Sequence, residues 1–315
     1  MNSFISNNYV RFIAFNLIMF IATSPFIVLY GPFNNIKSTV IGAIMTSMHP
    51  QYITWLLSNE EIKSIIGDKD NNGQNRQNLF QIDKRHDESV KMINIKGGRF
   101  QGYLIEISDP SLIKVATARN IQEKGETISN IGASNNALAA INAGGFYDPN
   151  GTGTGRLPYG VILHNGQFLI GADINEPVPL IGFTQSGVLV AGDYTPTEMR
   201  NMHVREGVTF GPPLIVNGKK LITSGDGGWG VAPRTAIGQR KDGTVLLLAI
   251  DGRQPTSLGA TLMDVQNILY EQGAYVAANL DGGSSTTMYY NGKVVNKPCD
   301  ILGERMLPTA FIVQQ

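Results

Sequence analysis

The chain has 315 residues and a hydrophobic content of 42%, which is enough for a large buried core in one domain or two. Its 25 basic and 25 acidic residues cancel, which excludes the broad positive field typical of nucleic-acid-binding proteins. The single cysteine, Cys299, excludes an intramolecular disulfide and metal sites built from paired cysteines, and we expect it to be a small buried hydrophobe.

The first predicted element is an apolar segment over residues 12–30 that contains no charged residue. At about 1.5 Å per helical residue, its 19 residues cover a hydrocarbon core of roughly 30 Å. We therefore predict an N-terminal membrane anchor over residues 1–35, uncleaved in preference to a cleaved signal peptide, since no small-x-small cleavage site stands out after it. The flanking charges, Arg11 and Lys37, do not set its orientation.

Short helices and a polar linker are predicted over residues 36–89. Ser58 or Asn59, placed just before Glu61, is typical of a helix N-cap and favours a pair of short amphipathic helices near the membrane. Residues 67–78 are polar and without periodicity, which predicts a linker. A third segment, residues 90–315, then forms the main domain.

This domain alternates short apolar runs with turn residues, which predicts many strands. Two helices are expected, over residues 127–136 and 257–272, and Gly273 provides a C-terminal stop for the second. The fold class is therefore α+β (mixed α/β), with a mixed β-sheet core, few helices and a preceding transmembrane helix. The strands are predicted over residues 102–108, 113–117, 160–163, 179–183, 244–250, 275–280 and 309–313.

Two aspartates follow the strands on either side of the second helix, Asp251 after residues 244–250 and Asp281 after residues 275–280. If the unit is βαβ, the strands are parallel and both carboxylates emerge at one edge of the sheet. A separation of one or two strand spacings, roughly 5–10 Å, suits two carboxylates acting on a glycosidic bond. The sequence predicts a ligand site at this edge.

Glycine-containing turns with polar side chains recur elsewhere in the domain, and each of them could also be a purely structural turn. The arginine forks of Arg234 and Arg253 match phosphate oxygens, although a surface salt bridge is the simpler interpretation of either one alone. Hydroxyls that follow Asp281 can bind sugar or phosphate oxygens. Together the residues favour an anionic, sugar-like ligand.

Five blocks in order resemble the phosphodiester glycosidase family: N-A-G-G-F-Y at 142–147, G-P-P-L-I-V-N-G at 211–218, A-P-R-T-A-I-G at 232–238, D-G-R at 251–253 and N-L-D-G-G-S-S-T-T-M at 279–288. The resemblance covers about residues 90–315 and implies hydrolysis of a sugar-1-phosphodiester. Bacterial members with a membrane anchor are often described as exopolysaccharide biosynthesis proteins. The resemblance thus implies an enzyme outside the cell that acts on a wall polymer, teichoic acid or exopolysaccharide.

The resemblance and the residue chemistry together suggest roles for the site residues. Asp281 is the expected nucleophile or general base, Asp251 its partner carboxylate, and Asn142 a third catalytic group. We expect substrate contacts from eight further residues, namely Arg234, Arg253, Gly144, Gly282, Gly283, Ser284, Ser285 and Thr235.

Two alternatives remain open. The domain could be a non-catalytic glycan-binding or polymer-assembly protein that retains the pocket. It could instead be a metal-dependent phosphodiesterase in which Asp251 and Asp281 bind calcium or magnesium, although the first interpretation needs no cofactor.

Overall fold

A computed structural model of the chain describes five segments, residues 2–45, 51–66, 77–82, 87–148 and 154–314. Most of the predicted linker, residues 67–78, lies outside them. Its end at Gln77 is fixed to the domain, because the Gln77 side chain donates to the Leu189 carbonyl at 2.6 Å and accepts from the Ala191 N–H at 3.1 Å. Gln77 is therefore docked on the strand Leu189–Tyr194 of the domain.

Helices account for the N-terminal part of the chain and are few in the rest. The described helices are α1 (Asn2–Tyr30), α2 (Asn34–Met45), α3 (Gln51–Thr54), α4 (Asn59–Ile66), α5 (Ile128–Ser134), α6 (Pro196–Asn201) and α7 (Leu262–Glu271). Within α1, residues Asn8–Tyr30 are long and apolar enough to cross a membrane, a property shared by signal sequences. As expected, Ser58 caps α4: its hydroxyl accepts from the Glu61 N–H, and the Glu61 carboxylate accepts from the Ser58 N–H.

The strands fall between residues 90 and 313. They are β1 (Val90–Lys96), β2 (Gln101–Ile107), β3 (Ile113–Thr117), β4 (Ala139–Asn142), β5 (Phe146–Tyr147), β6 (Leu157–Pro158), β7 (Ile162–His164), β8 (Gln167–Ile170), β9 (Val178–Thr184), β10 (Leu189–Tyr194), β11 (Val204–Val208), β12 (Pro213–Val216), β13 (Lys219–Lys220), β14 (Arg234–Arg240), β15 (Val245–Ile250), β16 (Ala274–Leu280), β17 (Met288–Tyr290), β18 (Lys293–Val294) and β19 (Thr309–Val313). This content confirms the α+β class.

Three larger sheets build the domain in the described part of the chain. Their strand orders are β1-β2-β15-β14-β16-β12-β13, β10-β9-β11-β7-β8 and β18-β17-β4-β19-β3. The pairs within each of these sheets are antiparallel, which corrects the expectation of a mixed sheet. β15 and β16 nevertheless run parallel to each other, because each of them pairs with the antiparallel β14 between them. Both strands therefore end at the same edge of the sheet.

The main core lies where the inner faces of these three sheets meet. The sequence of β15 is apolar throughout because both of its faces are buried. Val245, Leu247 and Ala249 face this core. Leu246, Leu248 and Ile250 face the opposite side of the sheet, which α7 covers. A fully buried Leu or Val side chain contributes about 1.5–3 kcal/mol relative to exposure. A strand buried on both faces holds its register strongly, so the aspartate that follows it is fixed in position.

The helix predicted over residues 257–272 begins later, at Leu262. Residues before it are extended and form bridges, including that between Ala232 and Ala260. Thr261 then starts the helix with a capping box to Asp264. The other predicted helix, residues 127–136, is α5 with Thr127 as its N-cap.

Candidate active site

Two turns lie side by side at one edge of the seven-stranded sheet. Asp251 follows β15, Asp281 follows β16, and the glycine after each aspartate packs against Pro233, the residue before β14. An added Cβ would lie 2.6 Å from the Pro233 nitrogen at Gly252 and 3.0 Å from the Pro233 oxygen at Gly282. Residues without Cβ permit this close approach, and they bring both predicted aspartates to one place.

The carboxyl group of Asp281 is the most perturbed acid at this edge. The residue as a whole is half-buried, while its Oδ2 is buried and has no hydrogen-bond partner among the described residues. Burial raises the pKa of Asp281 to about 6, against the Ser285 hydroxyl, the Arg305 charge and the Gly282 N–H, which lower it. A carboxylate with a pKa close to neutral pH is suited to accept a proton during a reaction.

Asp251 is buried more completely, with 1% of its surface exposed. Its Oδ1 accepts from the Lys297 N–H at 2.8 Å and from the Asn296 amide at 3.2 Å. Burial raises the pKa of Asp251, and these two hydrogen bonds oppose the rise. The same Asn296 amide donates to the Thr286 carbonyl at 3.0 Å, so Asp251 is linked through one side chain to the segment that follows Asp281.

Asn142 links the end of β16 to the start of β14 and to the residue before β17. Its amide nitrogen donates to the Asp281 carbonyl, and its oxygen accepts from the Thr235 hydroxyl at 2.9 Å and the Thr287 N–H at 3.0 Å. The Thr235 hydroxyl also lies 3.3 Å from that of Thr286. All of these groups are buried, so Asn142 and Thr235, both predicted site residues, position the backbone around Asp281.

Arg253 is exposed and has φ = 56°, the left-handed region that a residue with a Cβ rarely adopts. Its Nη1 lies 3.5 Å from the Ser284 hydroxyl, a long hydrogen bond. A Cβ at Gly283, where φ is +61°, would lie 3.4 Å from the same guanidinium. The predicted residues Arg253, Gly283 and Ser284 thus meet, with an exposed cation directed at the turn after Asp281.

Arg234 is buried, and its donors serve the protein backbone. Its Nε donates to the Ala260 carbonyl at 3.0 Å, and its Nη2 donates to the carbonyls of Trp229 and Gly230 at 2.9 and 2.6 Å. Burial lowers the pKa of Arg234 to about 10, and the nearby Arg253 charge adds to the lowering. Arg234 therefore supplies positive charge to the site edge while it holds the glycine-rich loop before β14.

Two further predicted residues, Gly144 and Ser285, make backbone or buried contacts. The Gly144 N–H donates to the Thr309 hydroxyl at 3.0 Å, and Ser285 is 1% exposed beside Asp281. Cys299 is half-buried, with its sulfur 4.0 Å from the Ser284 hydroxyl oxygen. The expectation of a small buried hydrophobe was wrong, because the residue is only half-buried and its thiol lies beside Ser284.

Unsatisfied polar atoms are concentrated in the segment that contains Asp281. Six buried side-chain N or O atoms lack a partner in the described part of the chain, and three of them belong to Asn279, Asp281 and Thr287. An unsatisfied buried polar group costs about 1–3 kcal/mol. The three groups in this segment are polar atoms that a bound ligand or water molecule can satisfy.

The sequence did not identify Arg305 as part of the site. Its guanidinium lies 2.6 Å from the Asp148 carboxylate and 5.0 Å from the centre of the Phe146 ring, and its charge lowers the pKa of Asp281. Asp148 follows the N-A-G-G-F-Y block directly, which was the available signal for this pair. Arg305 lies in an irregular segment without any motif, so only the fold brings it to Asp281.

The described residues contain no group of three His, Cys, Asp or Glu side chains that could hold a metal ion. Asp251 and Asp281 are a pair without a third protein carboxylate, and one oxygen of Asp251 is already bound to Lys297 and Asn296. The two carboxylates and the cationic groups around them form an arrangement that is suited to acid–base chemistry.

Comparison with known proteins gives one family. The family profile described as phosphodiester glycosidase matches residues 135–314, more than half of the chain. A curated relative, the SPbeta prophage-derived uncharacterized protein YomE of Bacillus subtilis (strain 168), is 38% identical over 80 residues, which are 25% of this chain and 12% of that protein. The N-acetylglucosamine-1-phosphodiester alpha-N-acetylglucosaminidase of Bos taurus is 36% identical over 76 residues, 24% of this chain and 14% of that one. The matched regions thus cover only a small part of the length of these relatives.

Solved structures share the fold. The catalytic domain of the zebrafish N-acetylglucosamine-1-phosphodiester alpha-N-acetylglucosaminidase, auto-inhibited by its pro-peptide, superposes with a TM-score of 0.60 and 21% identity, over 76% of this chain and 87% of that one. An exported protein of Burkholderia pseudomallei superposes with a TM-score of 0.51 and 19% identity, over 69% of this chain and 74% of that one. At these identities the likeness is one of fold.

Proposed function

This chain belongs to the phosphodiester glycosidase family, and from that premise we propose that it is a hydrolase that cleaves a glycosyl phosphodiester. The observation that carries the proposal is the unpartnered, buried carboxylate oxygen of Asp281, in the segment that also holds two other unsatisfied polar groups. The exposed Arg253 guanidinium, which contacts Ser284 in the turn after Asp281, supplies the charge that a phosphate requires.

In the proposed reaction, water adds to the anomeric carbon and the bond between that carbon and the phosphate oxygen breaks. The electron pair of that bond leaves with the phosphate, and Asp281 takes the proton from the water. A phosphate monoester is a good leaving group, so catalysis relies on binding it and on stabilising the positive charge at the sugar ring. Arg253 binds the phosphate bidentately, and the Arg234 charge contributes from behind it.

Asp251 acts as the second carboxylate of the proposed site. β15 and β16 are two strand positions apart, which corresponds to roughly 9–10 Å between their backbones. A backbone spacing of this size leaves room for a water molecule between the two side chains, and we therefore propose that Asp281 is a base and not a nucleophile. The product should then have the inverted anomeric configuration, which NMR of the nascent sugar measures.

We further propose that the substrate lies outside the cell, in a wall polymer, teichoic acid or exopolysaccharide, and that α1 anchors the enzyme in the membrane. The support is the apolar segment Asn8–Tyr30. In its most apolar window, only 6% is buried against the rest of the protein. Such exposure is suited to a lipid environment. Radiolabelled or fluorescent full-length chain should sediment with membranes and resist extraction by carbonate.

The activity test uses the full-length chain in detergent with a methyl diester of N-acetylglucosamine-1-phosphate or with UDP-N-acetylglucosamine. We expect release of free sugar, abolished in Asp281→Asn and retained in Asp242→Asn, an exposed aspartate in the turn at the other end of β14 and β15. Unchanged turnover in Asp281→Asn would remove Asp281 from the mechanism. Saturable sugar-phosphate binding without turnover by the wild type would indicate a binding protein, and activity lost to a chelator and restored by calcium or magnesium would indicate a metal-dependent phosphodiesterase.

A further inference from the structure

A concave surface lies at the same edge of the sheet as the proposed active site. The turn between β1 and β2 and the loop of residues 255–258 enclose a cleft of about 420 Å³. The register explains its place: Lys96 pairs with Gln101 across the hairpin, and Gly102 pairs with Ile250, the last residue of β15. The hairpin turn and Asp251 therefore project from the same edge.

The cleft is polar and cationic. Lys96 is exposed, and within the described ranges no carboxylate forms an ion pair with it. Arg99, also exposed, pairs with Asp264, while Gln101 and Thr256 add hydrogen-bonding groups. Lys96 is thus the unpaired charge of the cleft, which suits it to a ligand anion.

Hydrogen bonds connect the cleft to the proposed active site. The Leu258 N–H donates to the Arg99 carbonyl at 2.8 Å, and the Arg253 N–H donates to the Leu258 carbonyl at 3.1 Å. The Asp251 N–H donates to the Gln101 carbonyl at 2.9 Å. The loop that presents Arg253 to the site therefore also forms one wall of the cleft, and the two places are held at a fixed distance.

That distance follows from the strand order. Lys96 ends β1 and Asp281 follows β16, and these strands are four positions apart, which corresponds to roughly 19–20 Å. A linear polyol phosphate chain with six backbone bonds per repeat extends by about 7 Å per repeat, since three backbone bonds of a peptide extend by 3.3–3.6 Å. Three repeats, about 21 Å, cover the distance.

We propose that this cleft is a subsite for a polyanionic aglycone, in which Lys96 binds the phosphate three repeats away from the bond that is cut. The proposal rests on the proposed glycosyl phosphodiesterase function and specifies its substrate as a polymer with regularly spaced phosphates. Lys96 is here a binding residue that does not touch the reacting atoms.

The test compares Lys96→Ala and Lys96→Glu with Lys91→Ala, an exposed lysine near the opposite end of β1, all in the full-length chain in detergent. For glycosyl-capped polyol phosphates with three or more repeats, Lys96→Ala should raise KM roughly two- to fivefold with kcat unchanged, the size expected for one exposed ion pair. Lys96→Glu should raise KM further. A substrate with a methyl aglycone should be hydrolysed equally by every variant.

A second measurement separates the subsite from the activity: binding of a sugar-free tetramer of glycerol phosphate by isothermal titration calorimetry. Wild-type binding that weakens in Lys96→Glu and persists in Lys91→Ala supports the subsite, even if the chain hydrolyses no glycosyl phosphodiester. Equal binding by wild type and Lys96→Glu overturns it, even if the chain is an active hydrolase. If Lys91→Ala weakens binding of the tetramer as much as Lys96→Glu does, the subsite is also overturned, since that result reflects general surface charge.

Discussion

Replacement of Asp281 by asparagine should stabilise the folded chain, because it removes a negative charge that burial disfavours. The pKa of Asp281 is raised from an ordinary 3.8 to about 6. A shift of about two units, at 1.36 kcal/mol per unit, corresponds to about 3 kcal/mol of free energy of unfolding. Because the residue is half-buried and water screens part of the charge, we expect Asp281→Asn to be more stable than the wild type by roughly 1–3 kcal/mol.

The pH dependence of this gain has a definite sign. The pKa of Asp281 is higher in the folded chain, so the folded state binds a proton more strongly than the unfolded state between pH 3.8 and about 6. The wild type therefore loses stability as the pH rises through that window and loses no more from this group above it. The asparagine variant does not titrate, so its advantage is absent below pH 3.8 and complete above about pH 6.

Thermal unfolding of the full-length chains in one detergent, at pH 4 and pH 8, measures the difference. At pH 8 the Tm of Asp281→Asn should exceed that of the wild type by several degrees, at roughly 2–4 °C per kcal/mol. At pH 4 the two should nearly coincide, and Asp242→Asn should match the wild type at both. If Asp281→Asn is no more stable than the wild type at pH 8, the buried charge of Asp281 does not destabilise the fold and the reasoning is refuted.

Three further predictions concern the same site. The value of kcat/KM should rise with pH to a plateau above about 6, as Asp281 loses its proton. Because the Arg305 charge lowers the pKa of Asp281, Arg305→Met should shift the midpoint of this rise to higher pH. A pH–rate profile of both proteins measures the two effects. Asn142→Ala should lower the free energy of unfolding by about 1–3 kcal/mol, since it leaves the Thr287 N–H unpaired, and a depressed Tm would report this loss. Arg253→Ala should raise KM for a glycosyl phosphodiester about tenfold or more, and Arg253→Lys should recover only part, since lysine lacks the bidentate fork; steady-state kinetics decide this.

The strands that carry the site could be predicted from the sequence. Predicted strands 244–250 and 275–280 correspond to β15 and β16 with one residue of difference each, because long apolar runs between turn residues are a strong local signal. The helix between them was predicted too early, at residue 257. The capping box of Thr261 and Asp264 was visible in the sequence, but the bridge of Ala260 with Ala232, which keeps the preceding residues extended, depends on the fold.

Most residues of the candidate site could be predicted from the sequence, but their contacts could not. Asp251 and Asp281 share an edge as the crossover predicted, but with an antiparallel strand between them, since β14 pairs with both. That Arg234 binds backbone carbonyls could not be read from its motif, because those carbonyls belong to distant or irregular segments. Arg305 is near Asp281 only through the return of the chain after β18.

The position of bond cleavage tests the central claim most directly. Hydrolysis of a glycosyl phosphodiester in water enriched in oxygen-18, followed by mass spectrometry of the phosphate monoester, shows which bond water attacks. A glycosidase adds water at the anomeric carbon, so we predict a phosphate product without oxygen-18. Incorporation of oxygen-18 into the phosphate would contradict the account, because it would show attack at phosphorus.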